Sequence, residues 1–352
     1  MKRWLVCFAL LGAALLVGCT SSGLGDRVSV KAVYVEKERQ YEARLLVLES
    51  TPNADTGQVS EQARCLSGSG ETVYEALLDA EQSESRRLFY GQSELLFIGP
   101  KLMKEGVFDA CRYLASNTSG RPNMAVYGVD ADPDAFERLQ EKGTDFLSSV
   151  QQLEKRGLYR TFLYQFSGQS DSGVIPGLSV QEGSAAFEKL TLYREGKPDA
   201  VWKGAKAQLA RLLAGQADTL ELTLEPLSVS FQVRSPKLRF EPAFSEEGME
   251  LSVHFSGDIQ RLVSPEGAAL PGQDRQLEQA MEQLLMQSNA QDEEVKSLLE
   301  ELVADTLGRR NDVFLLRSRF ANLDEALCRA MEEDGRMARP GAVNFYCLLR
   351  MV

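Results

Sequence analysis

The sequence predicts an α/β (α+β) fold of several domains, in which mixed and antiparallel sheets are flanked by helices and the C-terminal domain is rich in helix. Three observations lead to this fold class. In the N-terminal half, strand-like segments, in which every second residue is apolar, alternate along the chain with segments whose apolar residues have helical spacing. In the C-terminal third, long alternating segments precede an apolar helical stripe. The 352 residues also exceed the length of one typical hydrophobic core.

The first 19 residues have the pattern of a bacterial lipoprotein signal. Two basic residues precede an apolar run over residues 4–17, which is shorter than the roughly 20 residues that a membrane-spanning helix needs. The run closes with the small Gly18 and then Cys19, whose thiol is the expected site of diacylglyceryl attachment. We expect a signal peptide over residues 1–18, cleavage between Gly18 and Cys19, and a flexible tether over residues 19–27. The alternative is an ordinary secretory signal, or an anchor, that contains a cysteine by chance.

An N-terminal α/β domain is predicted over residues 28–170. A polar turn joins its first two strands, so these strands are expected to pair antiparallel. Asp132 is expected to cap the helix that begins at Pro133, because a carboxylate accepts N–H groups there and proline fits a first turn. The predicted elements are strands over 28–35, 42–48, 93–98 and 124–129, helices over 71–83, 101–115, from 133 onward and over 144–156, and a loop over 50–61.

A small middle domain is predicted over residues 178–218 and a C-terminal domain over residues 219–352. The Gly/Ser/Asp-rich residues 168–177 mark the boundary before the middle domain. The long strands of the C-terminal domain are expected to pair antiparallel, and its apolar helical stripe is expected to pack on them. The predicted elements are strands over 185–193, 200–202, 219–224, 228–240, 249–261 and 341–351, and helices over 205–213, 275–307 and 320–333.

The charge of the chain excludes some kinds of partner. The formal net charge is -12, and loss of the two basic residues of the signal lowers it to -14. An acidic protein repels the phosphates of nucleic acids and of anionic lipids, so we expect no nucleic-acid partner. Membrane attachment is therefore expected to come from the acyl chains on Cys19, which contribute ~0.8 kcal/mol per buried CH₂ group.

Histidine and cysteine provide little for catalysis or metal binding. Ser-His-Asp, Cys-His and zinc hydrolases each need at least one positioned imidazole. His254 is the only histidine, and it is expected on the solvent side of a strand. The cysteines outside the signal region are scattered without zinc-type spacing: Cys65, Cys111, Cys328 and Cys347. Their separation favours the last two as a disulfide pair, and four buried thiols are the alternative.

Two short patterns resemble ligand sites, and each has a simpler explanation. The acidic residues between 130 and 141 have the spacing of a calcium loop, but Ala135 stands where the sharp turn needs glycine. Residues 67–71 are rich in Gly and Ser, but they lack the Lys-Ser/Thr pair of a phosphate-binding loop. A carboxylate pair for glycosidase-like chemistry cannot be located among 51 acidic residues. The sequence therefore predicts no catalytic residue, no metal and no cofactor.

Several segments, taken in their order along the chain, resemble one known family. Residues 87–92 are similar to a "K-x-F-x-G-H" segment, with Gln92 at the histidine position, and residues 95–100 to a hydrophobic-Ile-Gly strand. The segments that carry the resemblance are residues 70–77, 87–92, 95–100, 105–108, 186–202 and 235–238. The chain thus resembles the Ger(x)C family, the C-subunit lipoproteins of spore germinant receptors. It departs from the family after Cys19, where Thr20 and Ser21 replace the usual Trp-Asp.

The resemblance implies a non-catalytic, membrane-tethered subunit of a receptor that starts germination in response to nutrients. Its implied partners are the membrane-embedded A and B subunits, and its implied location is the outer surface of the inner spore membrane. Two other functions stay open at this point. One is a solute-binding lipoprotein of a transporter, which predicts two similar lobes around a cleft. The other is a carboxylate-dependent hydrolase of the cell envelope.

Overall fold

The computed structural model describes eleven segments of the chain. Residues 1–26, which contain the predicted signal peptide and nearly all of the predicted tether, lie outside them, as do residues 264–292. The described segments are residues 27–52, 59–116, 121–141, 146–167, 172–214, 219–224, 229–245, 248–263, 293–308, 312–338 and 341–351.

The first sheet has ten strands and mixed pairing. They are β1 (Arg27–Lys37), β2 (Tyr41–Pro52), β3 (Val59–Gly70), β4 (Arg87–Phe89), β5 (Leu95–Ile98), β6 (Ala125–Val129), β7 (Thr161–Phe162), β8 (Gly173–Gln181), β9 (Ser184–Arg194) and β10 (Lys197–Lys203). Their order is β10-β9-β8-β6-β5-β1-β2-β3, with β4 beside β1 and β7 beside β6. The central strands β1, β5, β6 and β8 run parallel. Antiparallel hairpins extend the sheet at both ends.

The second sheet is built from long strands of the C-terminal part. They are β11 (Thr219–Leu224), β12 (Val229–Ser245), β13 (Gly248–Val263) and β14 (Ala342–Met351). The pairs β11–β12 and β12–β13 are antiparallel, as predicted. The last strand, β14, returns from the helices and pairs parallel with β13, so this sheet is mixed as well.

Helices cover both faces of the first sheet and one face of the second. They are α1 (Val73–Gln82), α2 (Pro100–Glu105), α3 (Phe108–Ser116), α4 (Pro133–Glu141), α5 (Phe146–Lys155), α6 (Gly204–Ala214), α7 (Glu293–Gly308), α8 (Leu316–Leu323) and α9 (Glu325–Glu333). None of these helices, within the described segments, is both long and apolar enough to cross a membrane.

The apolar residues of β1 form an almost continuous run because both faces of this strand are buried. Val33 and Val35 face the core under α1 and α3. Tyr34, on the opposite face, packs among aromatic residues under α4 and α5, with its ring 4.7 Å from that of Phe136. Because helices cover both faces, residues of both parities are buried, as is usual for the central strands of a mixed sheet.

A third core joins the two sheets. Leu190 and Trp202 of the first sheet share it with Leu251 of the second sheet and with Leu299 and Leu302 of α7. The predicted packing of the C-terminal helical stripe on the preceding strands is therefore confirmed for the part of the stripe that the structure describes. The division into N-terminal, middle and C-terminal domains stays a prediction, although one sheet runs through the first two.

Four predicted elements differ from the structure. Both ends of the expected loop over 50–61 belong to strands, because β2 continues to Pro52 and β3 begins at Val59. The strand β3 is an edge strand with few apolar residues. The expected loop over 168–177 contains the start of β8. The expected helix over 101–115 is two helices, because Gly106 has a φ of 132° and ends the first one. The expected helix over 320–333 is also two, because Asp324 is extended and caps α9.

Candidate functional site

The predicted lipidation and cleavage residues, Gly18 and Cys19, lie outside the described segments. Acylation of Cys19 therefore stays a prediction from the signal sequence. The structure describes the acidic residues near 132, the Gly/Ser-rich residues 67–71 and His254.

One of the acidic residues near α4, Asp132, acts as a helix cap. Asp132 Oδ1 accepts the backbone N–H of Ala135 at 2.6 Å, which is the predicted cap of the helix that begins at Pro133. Across the described segments, His, Cys, Asp and Glu form no group of three or more that is arranged to hold a metal ion. The acidic spacing thus has a local structural explanation.

The Gly/Ser-rich residues before α1 belong to an edge strand and a helix cap. Residues 67–70 complete β3, and Thr72 begins α1 with a capping box. In this box the Thr72 hydroxyl accepts the N–H of Glu75 at 3.2 Å, and the Glu75 carboxylate accepts the N–H of Thr72 at 3.3 Å. The helix N-terminus is therefore already satisfied by its own side chains.

The single histidine lies on the open face of the second sheet, as predicted. The His254 ring stacks on Tyr346 of the neighbouring strand at 4.7 Å, and its Nε2 lies 3.1 Å from Glu241 Oε2. The thiols of Cys111 and Cys328 are buried and not in disulfides, and burial raises the pKa of both. Cys328, one member of the pair that separation along the chain favoured, is a free thiol, and its sulfur lies 3.8 Å from the sulfur of Met337.

A small cavity of about 350 Å³ lies beside α2, at the carboxyl ends of β5 and β6. Its floor contains Gly128, where a Cβ atom would lie 2.7 Å from the Met103 side chain, so glycine is needed for close packing of α2. Two of its lysines already pair with Glu188, at 3.4 Å for Lys189 and 3.2 Å for Lys203. The cavity has its charges largely balanced within the protein.

A larger cavity, of about 660 Å³, lies where the first sheet meets the C-terminal part of the chain. We call it the inter-sheet cavity. Residues from β7, β8, α6, β12 and the start of α8 line it, so both sheets contribute to its walls. Its lining consists of Tyr159, Thr161, Gln165, Phe166, Ser172, Gly173, Val174, Leu213, Ala214, Leu238, Phe240, Asp312, Val313, Phe314, Leu315 and Arg319.

Asp312 is the acidic group of this cavity. Its Oδ2 accepts the backbone N–H of Ser318 at 3.3 Å, so it supports the N-terminus of α8. Its Oδ1 is buried and has no hydrogen-bond partner among the described residues. Burial raises the pKa of the Asp312 carboxyl above its ordinary value, although the backbone N–H groups of Arg317, Ser318 and Leu316 lower it in part.

The backbone next to Asp312 is strained, and one cation borders the cavity. Leu315 has a φ of 55°, a left-handed conformation that leucine rarely adopts, and its side chain is 60% exposed. The guanidinium carbon of Arg319 lies 4.9 Å from the centroid of the Phe240 ring. A carboxylate, a guanidinium and several aromatic rings therefore surround one concave space.

No pattern in the sequence predicted this cavity. Asp312 and Arg319 lie in an ordinary polar stretch without a motif, and the lining residues outside residues 312–319 lie at least 72 positions earlier in the chain. The positive φ of Leu315 is likewise a property of the structure and not of a sequence pattern.

Two comparisons found proteins that are similar to this chain. Residues 24–179 match the family described as the spore germination protein N-terminal domain. A solved structure titled "Crystal Structure of the GerBC protein" aligns with 91% of this chain and 96% of its own, at 10% sequence identity and a TM-score of 0.49. No curated protein matches the sequence.

Proposed function

Because the chain belongs to the Ger(x)C family of spore germination proteins, we propose that it is the membrane-tethered C subunit of a germinant receptor. The observation that carries this proposal is the match of residues 24–179 to the family's N-terminal domain. The sequence segments that resemble the family continue beyond that domain, through residues 186–202 and 235–238.

In this proposal the protein is a non-catalytic docking subunit. Acyl chains on Cys19 hold it on the outer surface of the inner spore membrane, where it meets the membrane-embedded A and B subunits. Confinement to the membrane plane raises the effective concentration of the partners, so modest contact surfaces suffice for assembly. Assembly of the three subunits then allows nutrients to start germination.

The topology favours this function over a solute-binding lipoprotein. Such a protein would have two similar lobes around its cleft. Here the first sheet has ten strands and the second has four, and their strand orders differ.

The first test removes the lipid. A Cys19→Ala protein should no longer be acylated, should appear in the soluble fraction of spores, and should support nutrient germination poorly. Germination is measured by the loss of optical density after nutrient addition, and location by fractionation and immunoblotting. Cys7→Ala is the matched control, because it changes the other cysteine of the signal region and should leave acylation intact.

Assembly is tested directly in the same strains. Epitope-tagged A and B subunits should co-purify with the native protein and with Cys7→Ala, and much less with Cys19→Ala. Full nutrient germination by a demonstrably soluble Cys19→Ala protein would contradict the tethering mechanism. Absence of the A and B subunits from the native complex would contradict the receptor assignment itself.

A further inference from the structure

We propose that one edge of the first sheet lies on the anionic lipid headgroups of the membrane that holds the Cys19 anchor. The residues that meet the lipid are Arg27, Arg87 and Phe89, which we call the tether-root patch. The inference rests on acylation of Cys19 in the proposed function, and it adds the orientation of the protein on the bilayer. The juxtaposition behind it is two guanidinium groups and an exposed aromatic ring at the point where the tether joins the first sheet.

The tether keeps this patch close to the bilayer. Arg27 follows Cys19 by eight residues (27 − 19), and a fully extended chain of that length spans at most about 29 Å. Strand β1 begins at Arg27 and continues for 11 residues, so its other end lies about 33 Å from the patch. Acyl chains on Cys19 therefore hold the amino end of β1 within reach of the headgroups.

The pairing of β1 with β4 brings the three residues of the patch together. The two strands are parallel, with Arg27 beside Arg87 and Ser29 beside Phe89. Both arginines are exposed, and neither has an ion pair with another described residue. The guanidinium carbon of Arg27 lies 5.9 Å from the centroid of the Phe89 ring, which is 39% exposed. The patch thus offers charge to lipid phosphates and an apolar ring to the acyl boundary.

The alternation of the two strands explains why these side chains point outward. Val28 and Val30 are buried in the core under α1, and Leu88 packs against the same core. The residues between them, Arg27 and Phe89 among them, therefore face the opposite side of the sheet. An exposed phenylalanine beside unpaired arginines has no role in that core.

The negative charge of the whole protein does not oppose this contact. Residues 20–31 contain one acidic and two basic residues, and residues 85–93 contain two basic residues and no acidic one. Glu84 pairs with Arg86 at 3.1 Å and is 3% exposed, and Glu94 accepts the side-chain amide of Gln151 at 3.0 Å. Charges more than about 8 Å from the membrane are largely screened at physiological salt, so the local excess of arginine dominates.

A second exposed aromatic residue lies at the same edge of the sheet. Because β1, β5 and β6 are parallel, their amino ends share one edge. The backbone N–H of Tyr164 donates to the carbonyl of Pro122 at 2.8 Å, just before β6, and Tyr164 is 50% exposed. β6 is two strands from β1, about 10 Å across the sheet. Tyrosine is common at the headgroup level of membranes, so the contact extends from the tether-root patch toward β6.

The test places a fluorescent reporter in the patch. The acylated protein with Phe89→Trp is purified in detergent and inserted into vesicles of phosphatidylcholine and phosphatidylglycerol in equal parts. Vesicles with brominated acyl chains, which quench tryptophan at the bilayer, are compared with plain ones. The fluorescence of Phe89→Trp should be lower in the brominated vesicles. The native protein gives the background, because Trp202 is 2% exposed.

Tyr74→Trp is the matched control. Tyr74 is 54% exposed at the start of α1, and α1 follows the end of β3 that lies beside the carboxyl end of β1. A tryptophan there should not be quenched. Equal fluorescence of Phe89→Trp in the two kinds of vesicle overturns the proposal. Equal quenching of Tyr74→Trp and Phe89→Trp also overturns it, because the protein would then have no preferred orientation.

Flotation of the native protein with vesicles of phosphatidylcholine alone tests the anchor separately. A protein that floats, and whose Phe89→Trp variant is not quenched, keeps the anchor of the proposed function and overturns the patch. A protein that does not float has no acyl anchor, which contradicts the tethering mechanism and this inference together. The vesicles contain no other protein, so quenching in them assigns the patch to lipid and not to a protein partner.

Charge variants of the Phe89→Trp protein test the two arginines. Each arginine near an anionic membrane strengthens the contact about fivefold, so Arg27→Gln with Arg87→Gln should shift the equilibrium about 25-fold away from contact. Quenching should then largely disappear. Lys101→Gln with Lys104→Gln is the matched control, because it removes two charges from α2, beyond the carboxyl end of β5. Unchanged quenching in the double arginine variant overturns the proposal.

A second reporter decides the matter if Phe89→Trp does not fold, as judged by far-UV circular dichroism. Tyr164→Trp lies at the same edge on a different strand connection, so its fluorescence should also be lower in brominated vesicles. The same arginine substitutions should restore it. A folded Tyr164→Trp protein that floats with the vesicles without quenching overturns the proposed orientation.

Discussion

At the scale of single residues, Glu36 shows how a buried carboxylate is stabilised. Its side chain lies at the end of β1 and is 1% exposed. Its oxygens accept the backbone N–H groups of Lys37 at 2.8 Å, of Lys101 at 3.1 Å and of Leu102 at 2.7 Å. Glu36 therefore caps α2 from a neighbouring strand, which explains why no side chain at the helix's own N-cap, Gly99, is needed.

Replacement of Glu36 should be costly. Glu36→Ala leaves three N–H groups without their acceptor, so we expect the free energy of unfolding to fall by about 3 kcal/mol. Glu36→Gln keeps one acceptor oxygen and should cost roughly half as much. Both are measured by urea unfolding monitored by circular dichroism.

The matched control for this prediction is Glu38→Ala. Glu38 is exposed and forms a surface ion pair with Lys101, so its loss should change the free energy by no more than about 0.5 kcal/mol. A Glu36→Ala protein as stable as Glu38→Ala would show that water replaces the carboxylate without cost.

At the scale of elements, α1 lies directly on the edge hairpin of the first sheet. Gly68 of β3 faces α1, and a Cβ atom at this position would overlap the backbone of Ala76 and Ala80. The helix is thus packed against the strand with no room for a side chain. The run Ser67-Gly68-Ser69-Gly70, which looked like a loop in the sequence, is a strand made of small residues for this reason.

Gly68→Ala should therefore destabilise the protein although alanine is a modest change. Because the added methyl group would overlap the helix backbone, α1 must shift to accommodate it. We expect the free energy of unfolding to fall by about 2 kcal/mol. Ser69→Ala, on the opposite and exposed face of the same strand, should stay within about 0.5 kcal/mol of the native protein. Thermal unfolding compares them, and equal midpoints would rule out the tight packing of α1.

At the scale of the whole molecule, one junction connects the first sheet to the C-terminal helices. Trp202 of β10 is 2% exposed, and its Nε1 donates to Asp305 Oδ2 of α7 at 3.0 Å. Lys206 of α6 donates to the same oxygen at 2.8 Å. The Trp202 ring also stacks on Phe314, at 6.3 Å between centroids. The junction lies within the core that both sheets share.

This shared core predicts cooperative unfolding. The sequence has two tryptophans, and the other one, Trp4, lies in the predicted signal peptide, so Trp202 is a specific probe in the mature protein. Urea transitions followed by Trp202 fluorescence and by circular dichroism should coincide. Asp305→Ala should move both transitions to lower urea concentration together, because the free energy of unfolding falls by about 1–3 kcal/mol.

Glu301→Ala provides the matched control for the junction. Glu301, on α7, also pairs with Lys206 at 3.1 Å, but its side chain is 59% exposed. Its loss should therefore change the free energy of unfolding little. Two separate transitions in the native protein would mean that the sheets unfold independently, and would contradict a common core.

Much of the fold could be predicted from local patterns, and the predictions that were wrong have definite physical causes. The strand β1, the helix α1 and the Asp132 cap were predictable because their signals lie within a few adjacent residues. The strand β3 was missed because an edge strand needs few apolar residues. The break in the helix after residue 105 depends on Gly106. A Cβ atom added at this position would lie 2.6 Å from the carbonyl oxygen of Gly196, in the turn between β9 and β10. No local pattern contains that contact.

Composition, periodicity and short motifs were enough for the class of fold, the acidic charge, the predicted anchor at Cys19 and the order of segments that resembles a known family. These properties depend on composition, on periodicity and on residues that are close along the chain. Only the packing in three dimensions shows that one sheet runs through two predicted domains and that Asp312 lines a cavity with Phe166 and Val174. Such contacts join residues far apart in sequence, and their geometry depends on the packing of the whole chain.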